Sequence, residues 1–146
     1  LEDARDINDT VSIIRKLGNA YMLIVNKDEA EGNRDKYIKN ALECYKTITG
    51  KKYYSFNDSL NLAICYRALG KYADSIKVLI GIKESHDDYR VYMHLAFAYD
   101  GKGDKKRASE NIKKAVSKYE KTPEGDREDT GSDNIQNMYE LQKKYR

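Results

Sequence analysis

Long apolar runs are missing from this 146-residue chain. No stretch approaches the roughly 18 residues a membrane span requires, so no membrane-spanning role is expected. Histidine is scarce. His86 and His94 are the only two, and neither lies in a spacing that would hold zinc. No Gly-rich phosphate loop is present, because "LGKY" and "DGKGD" read as helix-ending turns. No Ser/His/Asp arrangement stands out by spacing. Asp87-Asp88 reads as a helix cap rather than an acid–base pair. An enzyme is therefore not expected, and no cofactor is implied. "DREDTGSDNIQN" (126–137) is a faint match to a calcium loop, but Asn137 occupies the place of the bidentate Glu.

Two further shortages narrow the setting. The two cysteines, Cys44 and Cys65, lie beside apolar residues in helical patterns. They read as small buried hydrophobes in a reducing, cytoplasmic compartment. Charge of one sign is not in excess. The net charge is +3, and Lys and Arg are interspersed with Asp and Glu. No basic stripe for nucleic acid results. The chain begins "LEDARD", with Leu rather than Met and without signal-peptide character, which suggests a piece of a longer protein or a processed form.

What is there is a repeat. "SLNLAICYRALGKYADSIKVLIGI" (59–82) aligns with "YMHLAFAYDGKGDKKRASENIKKA" (92–115) at an offset of 33 residues. Leu62-Ala63 matches Leu95-Ala96, Tyr66 matches Tyr99, and Gly70 matches Gly103. In the second half, Ser75 matches Ala108 and Leu79 matches Ile112. An earlier copy starts at "IIRKLGNAY", with Leu17-Gly18 and Tyr21 in the same slots. Its second half is "YIKNALECYKTI", with Ala41, Tyr45 and Ile48. About eleven extra residues, mostly in "VNKDEAEGNRDK", separate those halves.

The slots have a physical logic. Leu, a small residue and an aromatic three later share one helical face. The small residue lets a partner helix approach. Gly ends the first helix by accepting the left-handed conformation. Each helix pair leaves an apolar face that must stack on a neighbour. The 13 tyrosines are read mainly as packing residues. Helices are expected near 9–26, 35–49, 57–69, 72–84, 88–101 and 104–121. Pro123 follows the last of these, and the residue before a proline avoids helix. "TPEGDREDTGSD" (122–133) reads as a loop. Asp133 then caps a final helix, "NIQNMYELQKKYR", whose Ile135, Met138 and Leu141 form one apolar stripe.

This pattern resembles the tetratricopeptide repeat (TPR), a helix–turn–helix unit of about 34 residues. The resemblance covers roughly residues 11–122. It implies an all-α fold, a right-handed α-solenoid of three TPR helix hairpins plus a C-terminal capping helix. The three-repeat array would occupy 1–122, with repeats at about 11–55, 56–88 and 89–122. Residues 123–146 would be loop and capping helix. The departures are the insertion in the first repeat and the missing repeat-closing prolines.

In such arrays the first helix of each repeat lines a concave groove. Arg15 and Asn19, Asn61, and Arg90 and His94 are the groove-facing candidates here. They resemble the carboxylate clamp of the TPR co-chaperones that bind acidic C-terminal tails. Arg15 and Asn19 flank the small Gly18, Asn61 precedes Ala63, and Arg90 and His94 precede Ala96. Arg15 and Arg90 stand for cations of the clamp, while His94 departs by replacing a permanent one. Arg can grip a carboxylate bidentately, and Asn amides orient it without adding charge. The implied function is a non-catalytic protein–protein interaction module that binds a peptide or extended segment, including an acidic C-terminal tail. A structural or self-associating scaffold is the alternative. "LNLAICYRALGKY" and "DYRVYMHLAFAY" are also similar to TPR tails of bacterial serine/threonine protein kinases.

Overall fold

A computed structural model describes residues 3–27, 32–128 and 132–146. Seven α-helices carry them: α1 (Ala4–Asn26), α2 (Arg34–Thr49), α3 (Phe56–Ala68), α4 (Tyr72–Lys83), α5 (Tyr89–Lys102), α6 (Lys105–Lys121) and α7 (Ser132–Lys144). A 3-10 turn, Glu124–Asp126, follows Pro123. Among the described residues there is no strand.

Local chemistry sets most of the helix ends. The Asp3 side chain accepts from the Asp6 N–H at 2.9 Å, so α1 starts five residues before the expected position. Ser55 and Asp58 form a reciprocal capping box at the start of α3. Asp88 and Asp104 cap α5 and α6. Asp88 thus has the capping role expected of it. The two matched glycines end their helices alike. Gly70 has φ 74° and Gly103 has φ 87°, values open to glycine at little cost. Lys71 N–H donates to the Tyr66 carbonyl and Asp104 N–H to the Tyr99 carbonyl, which closes each end as a Schellman motif. At the other end of the chain, α7 begins at Ser132, so Asp133 lies within its first turn rather than before it.

The chain divides into two compact units, Leu1–Lys71 and Tyr72–Arg146, at the turn between α3 and α4. In the first, α2 packs against both α1 and α3. Its core takes Val11 and Gly18 from α1, Ile38, Ala41, Leu42, Tyr45 and Ile48 from α2, and Leu62, Ala63 and Cys65 from α3. At Gly18, α2 lies close against α1. A Cβ there would stand 3.0 Å from Tyr45 Cζ and 3.2 Å from Cys44 Cβ. Cys65 is fully buried, and burial pushes its thiol up to about 12; Cys44 is only half-buried.

Leu17 departs from its slot. The matching Leu62 and Leu95 are buried, whereas Leu17 is 48% exposed.

In the second unit, α5 packs on α4 and α6, and α6 on α7. Tyr89, Tyr92, Met93 and Ala96 meet Ile112, Ala115 and Val116 of α6 and Met138 and Leu141 of α7. The α7 stripe is therefore the covering face anticipated from its spacing. Asp100 of α5 accepts from Lys144 Nζ at 2.9 Å and Tyr145 O–H at 2.5 Å, which ties down the end of α7. Gly101 is a close approach: a Cβ there would run into the Tyr72 ring.

Candidate functional site

The five candidate residues fall on both units. Arg15 and Asn19 lie on α1 and Asn61 on α3, all in the first. Arg90 and His94 lie on α5 in the second.

Arg15 is engaged by a partner that its spacing in the sequence does not reveal. Its Nε donates to Asp58 Oδ1 at 2.8 Å, and its Nη2 to Asp58 Oδ2 at 2.7 Å. Nη2 also reaches the Tyr53 carbonyl at 3.4 Å. Asp58 is 1% exposed and holds the Ser55 N–H as well, at 2.7 Å. Burial pushes the Asp58 carboxyl up, but the Arg15 guanidinium and the Ser55 N–H outweigh it and the net shift is down. Hydrogen bonding to Asp58 raises Arg15 in turn. Both groups are therefore charged near neutral pH. The motif "SFND" (55–58) was readable as a helix start, but nothing in it named Arg15 as the partner.

Asn19 stands one turn after Arg15 on the same face of α1. Its side-chain oxygen accepts from Tyr45 O–H at 2.6 Å. Tyr45 is 1% exposed, so this bond satisfies a hydroxyl that would otherwise be buried and unpaired. With Oδ1 held, the Asn19 amide nitrogen remains a donor on the exposed surface of α1. Asn61 is half-buried, one turn after Asp58 on α3. The Arg15–Asp58 pair thus joins the Arg15/Asn19 face of α1 to the Asp58/Asn61 face of α3. The guanidinium meets Asp58 side-on through Nε and Nη2, which leaves its Nη1 edge for a second acceptor.

In the second unit the candidates lie deeper. Arg90 is 8% exposed and His94 is 2% exposed. Arg90 Nε and Nη2 donate to Asp88 Oδ1 and Oδ2, both at 2.9 Å, and its backbone N–H donates to Oδ1. Burial again raises the Asp88 carboxyl, and the bonds from Arg90 turn the net shift downward. The His94 ring stands edge-on to Phe97, with centroids 5.8 Å apart. An open cleft of about 290 Å³ lies nearby, between Asp87, Tyr89, Lys118, Lys121 and Glu128. Its charges are partly matched already, since Lys118 Nζ is 2.7 Å from Asp87 Oδ2. Among the described residues no group of His, Cys, Asp and Glu is arranged to hold a metal ion. The calcium-like stretch lies partly outside the described residues, at 129–131.

The chain also has a solved structural counterpart. PcrH from Pseudomonas aeruginosa matches it with a TM-score of 0.70, over 94% of this chain and 92% of that one. The two are 17% identical. The fold is therefore an all-helical, TPR-like repeat of the α-solenoid class. At that identity the likeness concerns the fold. No family model matches the sequence, and no curated protein does. No helix among the described residues is long and apolar enough to cross a membrane.

Proposed function

We propose that this chain is a non-catalytic protein–protein interaction module that binds an extended peptide segment across α1 and α3 of its first unit. One observation carries the reading. The Arg15–Asp58 pair ties α1 to α3 and leaves the Nη1 of a one-third exposed guanidinium and the amide nitrogen of the exposed Asn19 as donors for a ligand. An extended peptide offers carbonyls at regular spacing to such donors. A chain-terminal carboxylate is the strongest acceptor a peptide can present, so an acidic C-terminal tail is the proposed ligand class. Asp58 offsets the charge of Arg15, so recognition rests on the placement of hydrogen bonds more than on net attraction. Arg90 and His94 lie buried in the second unit, and the proposal does not draw on them. Carried on a larger signalling protein, such as a kinase, a module of this kind would act as a recruitment arm.

The test is calorimetric titration with a short acidic peptide, once with a free C-terminus and once amidated. The free form is expected to bind about tenfold or more tightly, the size of one lost charge-assisted bond. Asn61→Ala should weaken it without unfolding the protein, and Asn19→Ala should weaken it at some cost in stability, because it unpairs the Tyr45 hydroxyl. Equal affinity for the two peptides would remove the carboxylate from the proposal. No binding of either would sink the peptide-binding reading itself.

A further inference from the structure

We infer that the outward stripe of α1 is a docking surface for a second copy of this chain, paired antiparallel. Val11 and Gly18 mark the buried side of α1. The opposite side presents Asp9, Ile13, Lys16, Ala20, Leu23 and Lys27, spaced alternately four and three apart. That is the spacing of a helix-pairing seam. Ile13 is 67% exposed and Leu23 53%, with Leu17 beside them at 48%. Three large apolar side chains on one helix are thus left in water, a concentration that marks an interaction surface.

The order of residues in the stripe selects the occupant. Placing two such helices antiparallel about a two-fold axis at residue 18 sets Asp9 against Lys27 of the second copy. The same operation sets Ile13 against Leu23 and Lys16 against Ala20. Acid therefore meets base at both ends, large apolar meets large apolar, and the long Lys16 stem lies over a small residue. An isologous interface demands this self-complementarity, whereas a foreign partner does not. One helix pair lies at the small end of specific interfaces, below about 1,200 Å² in total, so the dimer is expected to be weak and concentration-dependent.

Sedimentation equilibrium of the 146-residue chain between about 1 and 200 µM tests this range of weak association. The weight-average mass should climb from one chain toward two. Leu23→Glu places a charge in the seam while leaving the folded monomer's core untouched, which circular dichroism can verify. It should raise the dissociation constant at least about tenfold, the loss expected of a central apolar contact. Asp9→Lys alone should weaken the dimer about threefold, and Asp9→Lys combined with Lys27→Asp should restore it. A chain that stays monomeric throughout would overturn the proposal, as would a dimer indifferent to Leu23→Glu. A double swap that fails to rescue Asp9→Lys would overturn the antiparallel register. None of these readouts depends on peptide binding.

Discussion

Arg15 and Arg90 hold their aspartates in the same way, Nε and Nη2 against the two carboxylate oxygens, one in each unit. What differs is the distance along the chain. Asp58 is 43 residues from Arg15, and Asp88 is two residues from Arg90. The first pair joins two helices that are not neighbours in sequence. The second reinforces a cap that Asp88 already makes through the Arg90 N–H. The same fork onto an aspartate therefore joins two helices in one unit and closes on a helix cap in the other.

The largest effect should come from breaking the lock. Asp58→Ala removes the ion pair and the capping box together, and should cost about 3 kcal/mol in urea denaturation. Arg15→Ala should cost about 2 kcal/mol, because Asp58 keeps its bond to the Ser55 N–H and Arg15 is partly solvated. A loss no larger than a surface ion pair gives would show that the lock contributes nothing beyond the cap.

Acid should reveal the same pair. The folded-state carboxyl of Asp58 is depressed, so its contribution is present above the ordinary aspartate range near pH 3.9. That contribution is lost as pH falls through the still lower folded value. The wild type should therefore lose stability below about pH 4 more steeply than Asp58→Asn. Parallel pH profiles for the two proteins would contradict this assignment. Asp88 is shifted in the same direction, so Asp88→Asn serves as the internal comparison from the second unit.

The smallest effect belongs to the local pair. Arg90→Ala truncates a buried side chain, but Asp88 is 28% exposed where Asp58 is 1% exposed, and the backbone N–H at position 90 would still meet the cap; somewhat less than the roughly 2 kcal/mol of Arg15→Ala is expected in the same urea titration. If Arg90→Ala proved as costly as Arg15→Ala, the contrast between lock and cap would disappear.

Much of the helical order was legible beforehand because its causes are local. Ser55, Asp88, Gly70 and Gly103 act on backbone groups within a few residues of themselves. The repeat slots Ala41, Ala63, Ala96 and Ala108 are buried because a helix of fixed pitch presents them to a neighbour. The candidate site was legible only as a set of donors. Arg15 and Asn19 were visible one turn apart, but Asp58 and Tyr45, which hold them, lie 43 and 26 residues away. No periodicity links residues across one loop or two.

Leu17 makes the same division from the apolar side. Its slot is identical in sequence to those of Leu62 and Leu95, yet it is left half in solvent because burial depends on which helix arrives to cover it. The sequence by itself determined where helices begin and end and which of their faces are apolar, since hydrogen bonds and side-chain pitch act within a turn or two. Only the tertiary structure decided which acid neutralises Arg15, which hydroxyl holds Asn19, and which apolar residues of α1 stay in water. Those outcomes depend on contacts between helices brought together from distant parts of the chain.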